Sequence, residues 1–372
     1  MDLKYYVLWR ENNPTVLRYL EKYYQKLQQD IQTLQERWYI KKETKELLAC
    51  DSKDFLLNGE VSSMINFLFK ELIEKRTHPW SIDIFINRLN EEICYFLGKK
   101  DKELSMNKGL KIKGTKIRLT THDYNPYNSH EAHPDHKSSW AILWWWEKEE
   151  KEWLSVYSDT FKLLKIIDEG VYKELTQIIH KIIPLGTSKG SHNSASYKEC
   201  IGHLYMWYTI DTNVPELSNL EALIHESSHN KLNLIMQFDP VILNDSTERY
   251  YSPYRPDARH IHGIFLGLHA FVPTIYVLCK AYKDKKLNMS EYRLGKIVLY
   301  YVKNKITYKV IQKYGKLTPL WTEILKEIAH VMKLTDIMIH WIDISKKTLI
   351  RVKKSQQEHF LSVNMNYPYL QY

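Results

Sequence analysis

Scarcity of glycine and proline is the sequence feature that most limits the folds open to this chain. Each residue occurs 12 times in 372 residues, which is about half of their usual combined share. β-Sandwiches, propellers and barrels need a glycine- or proline-rich turn about every 8–12 residues, whereas long helices need few turns. The glycines are also scattered and form neither a G-x-G-x-x-G nor a G-x-x-x-x-G-K-[ST] motif, which disfavours a Rossmann dinucleotide site and a P-loop.

The spacing of apolar residues predicts helices over most of the chain and one small sheet. Three- and four-residue apolar spacing marks the stretches 14–49, 60–76, 80–97, 153–183, 216–236, 260–283, 290–314, 319–333 and 335–360. A hairpin or bent strand is predicted over 109–121, and further strands over 140–146 and 200–210. The expected fold class is mainly α with a small β-sheet (α+β). We expect an N-terminal helical lobe, 1–105, and a metal-binding catalytic region, 106–372.

Cysteine usage and the start of the chain predict a cytoplasmic protein. The cysteines, at positions 50, 94, 200 and 279, form no C-x-x-C pair, which is typical of reduced thiols. The N-terminus has no apolar signal region, and the most apolar run, 264–279, falls short of a membrane span. The net charge of +9 could suit an anionic partner, but abundant Lys, Ile, Asn and Tyr give it a compositional explanation. We therefore expect no nucleic-acid or membrane partner, and the sequence indicates no oligomeric state.

Residues 223–229, Leu-Ile-His-Glu-Ser-Ser-His, contain an H-E-x-x-H motif within a helical pattern. Residues four apart lie on the same face of a helix, so His225 and His229 are predicted to bind one metal ion. Glu226 lies beside that ion and can handle a proton. The alternative is a pair of core histidines satisfied by carbonyl groups.

The third metal ligand is open between His269, His262 and Glu248. The two histidines lie seven residues apart, hence on one face of the helix predicted over 260–283, and Gly263 and Gly267 flank that face and let another helix approach closely. A histidine among apolar neighbours is costly to bury without a partner, which favours His269. Glu248 follows His229 at a spacing known from some zinc peptidases, but in a polar stretch with a weak helical pattern.

Two arginines precede this helix on a proline-rich loop, Tyr-Ser-Pro-Tyr-Arg-Pro-Asp-Ala-Arg at 251–259. Arg255 and Arg259 could clamp a carboxylate by paired hydrogen bonds. The alternative is surface charge or a helix-capping pair.

Three blocks in this order resemble the H-E-x-x-H peptide-modification enzymes, described as 2-oxoglutarate-dependent β-hydroxylases of ribosomally made precursor peptides. The blocks are residues 223–232, residues 251–259, and Gly263 with His-Ala-Phe at 269–271. Asn-Pro at 125–126 and Glu-Ala-His-Pro-Asp at 131–135 also resemble a family segment. The family usually has Trp at the position of Tyr254 and often Pro at that of His260.

The resemblance implies non-haem Fe(II) held by His225 and His229, with His269 as the third ligand. It implies that 2-oxoglutarate and O2 are co-substrates, and that the partner is a precursor peptide, which becomes hydroxylated at a β-carbon.

In the scheme that the resemblance implies, Arg255 or Arg259 binds the distal carboxylate of 2-oxoglutarate. Glu226 then orients a ligand or the substrate rather than acting as a base. Two alternatives stay open. One is a zinc metallopeptidase with Glu226 as general base, and the other is a basic helical binding protein without enzymatic activity.

Overall fold

The computed structural model describes residues 7, 10, 13–41, 43–74, 82–99, 108–121, 123, 125–128, 147–185, 194–207, 215–284 and 288–367. The contacts divide the chain into two compact units. The sheet unit comprises Asn12–Lys162 and Tyr172–Gln237, and the helical unit comprises Met1–Glu11, Leu163–Val171 and Phe238–Tyr372. The lobe boundary predicted near residue 105 falls within the range of the sheet unit.

The fold is mainly helical with one small sheet, as the scarcity of glycine and proline predicts. The first helices are α1 (Pro14–Glu36), α2 (Thr44–Ala49), α3 (Lys53–Leu56), α4 (Gly59–Leu72) and α5 (Ile82–Phe96). They are followed by α6 (Glu147–Ile167), α7 (Glu169–Ile178) and α8 (Pro215–Met236). The start of α1 is fixed by its sequence, since Asn13 accepts a hydrogen bond from the Thr15 N–H and Pro14 needs no partner at the first helical position.

In the described part of the chain, four strands form the sheet in chain order: β1 (Leu110–Lys111), β2 (Arg118–Leu119), β3 (Lys181–Leu185) and β4 (His203–Trp207). β1 and β2 are antiparallel, which confirms the hairpin predicted over 109–121, while β2–β3 and β3–β4 are parallel. β4 confirms the strand predicted over 200–210. The strand predicted over 140–146 lies outside the described residues.

The helix predicted over 153–183 is wrong at its end, because residues 181–183 belong to β3. Ile182 and Ile183 are fully buried and pair with Leu204 and Tyr205 of β4. A strand buried on both faces shows no alternation of apolar and polar residues. A short apolar run of this kind cannot be told from a buried helical segment by periodicity.

A glycine is required where the chain enters β4. Gly202 has a φ of +92°, and a Cβ atom at this position would lie 2.9 Å from both the Nδ1 atom of His180 and the carbonyl oxygen of Ile178. Only glycine combines this backbone conformation with so close an approach.

The helical unit contains α9 (Ile261–Lys283), α10 (Glu291–Tyr314), α11 (Pro319–Ile339) and α12 (Lys346–Asn366). α9 packs against α10 and α11, and α10 packs against α12. The predicted break between the last two helices at 333–335 is wrong. α11 continues to Ile339 because no glycine or proline interrupts it, and α12 begins where the Ser345 hydroxyl caps it by accepting from the Thr348 N–H at 3.2 Å.

α9 is longer than the apolar run at 264–279 suggested. Among the described residues it is the one helix that could cross a membrane by length and composition, with a mean hydropathy of 1.7 in its most apolar window. However, 67% of that window is buried inside the protein, as in the core helix of a soluble protein. A cytoplasmic location stays a prediction.

Candidate metal centre

His225 and His229 lie one turn apart on α8, in the sheet unit. Their Nε2 atoms are 3.1 Å apart, and the rings stand nearly perpendicular at 86°. Two nitrogens bound to one ion at about 2.1 Å lie roughly 3.0–3.4 Å apart at octahedral or tetrahedral angles. The pair therefore fits two neighbouring ligands of one metal ion. The same separation allows one ring to donate a hydrogen bond to the other.

Burial favours the neutral form of the second histidine. The pKa of His229 is held well below its ordinary value, chiefly by burial and further by the nearby charge of His225. A neutral imidazole presents a lone pair, so it binds a metal ion without first losing a proton. At neutral pH His229 is therefore ready to act as a ligand.

Glu226 is buried beside the histidine pair, with 6% of its surface exposed. Burial raises the pKa of its carboxyl group to about 8, and a hydrogen bond with the Ser196 side chain partly offsets this rise. A cation bound by the adjacent histidines would favour the ionised form. Glu226 can therefore hold or release a proton near neutral pH.

Asn230 joins α8 to the start of β4. Its Oδ1 atom accepts a hydrogen bond from the Gly202 N–H at 2.7 Å, and its Nδ2 atom donates to the His203 carbonyl at 3.0 Å. The side chain is fully buried, so it satisfies two backbone groups that water does not reach. Because it directly follows His229, it fixes the position of the histidine pair relative to the sheet.

A buried ion pair holds the next residue of α8. The Nζ atom of Lys231 lies 2.8 Å from the Oε1 atom of Glu174, and neither side chain is exposed. The same oxygen accepts a hydrogen bond from the Nδ2 atom of Asn13, 3.1 Å away. Buried charges are tolerated only with such partners. The pair therefore ties α8 to α7 and to the start of α1.

A polar cluster surrounds the hydroxyl group of Tyr205 on β4. This group donates to the Oδ1 atom of Asp123 and accepts from the Nδ2 atom of Asn125, both at 3.0 Å. Tyr205 also pairs through its backbone with Ala195, which precedes Ser196, the partner of Glu226. The cluster thus brings Asn125, from the Asn-Pro segment of the resemblance, into the same hydrogen-bonded region of the sheet unit as the H-E-x-x-H helix.

The histidines predicted as third ligands lie on α9, in the helical unit. His269 is fully buried. His262 lies in the first turn, where its backbone N–H donates to the Nδ1 atom of the capping residue His260 at 3.3 Å. The role of either histidine as a metal ligand stays a prediction.

Glu248 lies outside any helix, in the helical unit, and its carboxylate holds a loop together. The Oε2 atom accepts from the Asn244 amide and from the Tyr250 hydroxyl, each at 2.7 Å, and Lys316 lies 3.5 Å from Oε1. The hydrogen bonds from Asn244 and Tyr250 lower the pKa of Glu248. These contacts give the Glu248 carboxylate a structural role in the loop.

Arg255 and Arg259 lie in the loop that precedes α9. Two backbone hydrogen bonds, of 2.8 and 2.9 Å, pair Arg259 with Tyr250 and close this loop. The Nε atom of Arg259 lies 3.0 Å from the Oδ2 atom of Asp257, a contact that engages one of the five N–H donors of the guanidinium group. Arg255 is exposed. Binding of a co-substrate carboxylate by either arginine stays a prediction.

Gly267 admits an aromatic ring from this loop, where the sequence led us to expect another helix. A Cβ atom at Gly267 would lie 3.0 Å from the Cδ2 atom of Tyr254, whereas at Gly263 the nearest atom would be the Cδ atom of Arg259, at 3.7 Å. Tyr254 also stacks on Phe271, with ring centroids 4.6 Å apart. Tyr254 is therefore a packing residue that holds the arginine loop against α9.

The described residues contain no group of three or more His, Cys, Asp and Glu side chains arranged to hold a metal ion. They bring together two of the predicted ligands, His225 and His229. Residues 131–135, from the segment that resembles the family, lie outside the described part of the chain.

No protein-family model matches the chain, and a search of curated proteins found no significant match. The resemblance therefore rests on the sequence blocks alone.

The residues that position α8 were not identified from the sequence. Asn230 and Lys231 directly follow the motif, and Lys231 pairs with Glu174, far away in sequence. A signal was present, since an amide and a lysine in a helix must find partners when they are buried. The identity of those partners depends on the tertiary fold.

Proposed function

We propose that the chain is a non-haem Fe(II), 2-oxoglutarate-dependent dioxygenase that hydroxylates a β-carbon in a ribosomally made precursor peptide. The observation that carries the proposal is the 3.1 Å separation of the Nε2 atoms of His225 and His229 on a buried helix. The blocks that resemble peptide-modification enzymes support this assignment over other H-E-x-x-H chemistry.

The proposal gives each predicted site residue one task. His225 and His229 would hold Fe(II), and the resemblance implies His269 as the third ligand. Bound Fe(II) would supply the oxidation of a C–H bond by O2, coupled to decarboxylation of 2-oxoglutarate. Arg255 or Arg259 binds the distal carboxylate of 2-oxoglutarate by charge-assisted hydrogen bonds.

The surroundings of the histidine pair suit this role. Burial keeps His229 neutral, and Asn230 fixes the helix against the sheet, so that the ligands are positioned before the ion binds. Glu226 is held by Ser196 and orients a ligand or the substrate.

Metal binding is the first test of the proposal. Protein purified without oxygen should bind one equivalent of Fe(II), and addition of 2-oxoglutarate should give a weak visible charge-transfer band. His225→Ala and His229→Ala should lose both signals, whereas His340→Ala, which changes an exposed histidine, should retain them. Absence of the band and of 2-oxoglutarate binding in the folded wild-type protein would contradict the proposal.

Turnover is the second test. Co-expression with a short precursor peptide encoded beside this chain should increase the peptide mass by one oxygen atom, and the purified reaction should form succinate only with 2-oxoglutarate, Fe(II), O2 and the peptide. An intact, unmodified peptide together with the charge-transfer band would exclude that peptide as the substrate. The proposed binding of Fe(II) and 2-oxoglutarate would then still stand.

A zinc metallopeptidase is the second candidate, favoured by one observation. Glu226 is buried next to the histidine pair with a pKa raised to about 8, and a carboxylate at this place can take a proton from a metal-bound water. In that case Glu226→Gln should retain the metal and abolish peptide cleavage. Recovery of full-length, oxygen-bearing peptide without fragments would exclude this candidate.

A further inference from the structure

An apolar groove runs along α10 in the helical unit. It has a volume of about 520 Å³. A stripe of residues spaced four apart on α10, Val302, Ile306, Val310 and Tyr314, lines one wall. Phe360 of α12 faces this wall and is 37% exposed.

The floor of the groove is formed by Tyr251, which is held in a fixed orientation. Its hydroxyl group accepts a hydrogen bond from the Nε2 atom of Gln356 at 2.9 Å and lies 3.0 Å from the Nδ1 atom of His359. The Tyr251 ring meets that of Phe360 edge to face, with centroids 5.3 Å apart. These contacts fix the floor to α12, so the groove is a formed feature of the unit.

Positive charge borders the groove on both sides. Lys309 and Lys313 stand on α10, one turn apart, and Lys353 stands on α12. All three side chains are exposed. Among the described residues, those that line the groove include no Asp or Glu. The groove therefore combines an apolar interior with a cationic rim.

The dimensions of the groove select the kind of occupant. From Val302 to Tyr314 the groove extends about 18 Å at the helical rise of 1.5 Å per residue. Its apolar wall on α10 is a single stripe of residues spaced four apart. The groove can therefore take one row of side chains from a partner, while the backbone that carries them lies at the level of the lysines.

We propose that this groove binds an acidic amphipathic helix of a partner peptide or protein. The apolar stripe of the partner enters between α10 and α12, as in other helix-in-groove complexes. Asp or Glu residues on both sides of that stripe pair with Lys309 and Lys313 on one border and with Lys353 on the other. A single carboxylate, such as that of a fatty acid, would use one border, whereas charge on both borders matches a helix with acidic flanks.

The first experiment measures binding of labelled synthetic peptides to the full chain by fluorescence anisotropy. The stripe peptide carries Leu at positions i, i+4, i+7 and i+11 with Glu on both flanks, over about 14 residues, enough to span the groove. A second peptide replaces Glu by Gln, and a third scrambles the order. The stripe peptide should bind about tenfold more tightly than the Gln peptide at low salt and lose this advantage at high salt. The scrambled peptide should bind more weakly than either.

A charge variant with a matched control locates the binding site. The triple variant Lys309→Gln, Lys313→Gln, Lys353→Gln should weaken binding of the stripe peptide about tenfold. The control changes three exposed lysines of the same unit that do not line the groove: Lys333→Gln, Lys346→Gln and Lys347→Gln. It should bind the stripe peptide as the wild type does. Circular dichroism verifies that both variants are folded, as expected for exposed positions.

Three results would overturn the proposal. The scrambled peptide could bind as tightly as the stripe peptide, the control variant could weaken binding as much as the groove variant, or dodecanoate could displace the stripe peptide with equal or higher affinity. The last result would assign the groove to an apolar carboxylate. Each result is independent of metal binding and turnover, so a failure here is distinct from a failure of the proposed hydroxylase.

Discussion

Lys231, two residues beyond His229, forms a fully buried ion pair with Glu174, with 2.8 Å between Nζ and Oε1. Removing one partner leaves the other charge buried without its counter-ion. Glu174→Leu should therefore lower the free energy of unfolding by about 3–5 kcal/mol. The double variant Lys231→Met, Glu174→Leu should recover most of this loss, as measured by urea denaturation. A double variant no more stable than Glu174→Leu would contradict this account of the pair.

Asn230→Ala should weaken both folding and metal binding. The change leaves the Gly202 N–H and the His203 carbonyl without their partner, which costs about 1–3 kcal/mol for each buried group. Since Asn230 also positions His229, the affinity for Fe(II) should fall about 10–100-fold, as measured by anaerobic titration. Gln237→Ala is the control: it removes an exposed hydrogen bond to the Lys198 carbonyl and should change neither quantity. Unchanged Fe(II) affinity in Asn230→Ala would show that Asn230 does not position the site.

Much of the fold could be predicted from local sequence patterns. α8 and α9 were predicted over 216–236 and 260–283 and occupy Pro215–Met236 and Ile261–Lys283, because their apolar spacing and boundaries are encoded locally. β3 was missed because an apolar run suits a buried helix and a buried strand equally.

Some features of the candidate site are likewise encoded by the local sequence, whereas others depend on residues far away in the chain. The pairing of His225 with His229 follows from helix geometry, since both residues lie on α8. The partners of the following residues do not: Asn230 bonds to Gly202 and His203, and Lys231 to Glu174. Such contacts join segments far apart in the chain, and no local pattern specifies them.

Acid should destabilise the sheet unit through two histidines outside the motif. Burial lowers the pKa of His180 to about 4 and that of His203 well below its ordinary value. The unfolded chain takes up protons below about pH 6.5, while the folded unit does not until its lower pKa values are reached. The contribution of these two histidines to stability should therefore be full above pH 6.5 and fall as the pH decreases towards 4, by up to about 1.4 kcal/mol per pH unit for each histidine.

Urea midpoints measured between pH 7.5 and pH 4.5 test this expectation. His180→Gln should reduce the slope, because it removes one of the two groups. His340→Gln, at an exposed position, should leave the slope unchanged. An equal slope in all three proteins would show that other groups control the acid sensitivity.

The two glycines at the start of α9 should respond in opposite directions to alanine. Alanine is favoured over glycine within a helix by about 0.5–1 kcal/mol. At Gly263 the added Cβ would lie 3.7 Å from its nearest neighbour, an ordinary contact, so Gly263→Ala should raise the melting temperature. At Gly267 it would lie 3.0 Å from the Tyr254 ring, which is held by stacking on Phe271 and by a hydrogen bond from its hydroxyl group to the Oδ1 atom of Asn304. Gly267→Ala should therefore lower the melting temperature, but raise it when introduced into Tyr254→Ala. A loss of stability in both backgrounds would show that the clash is not with Tyr254.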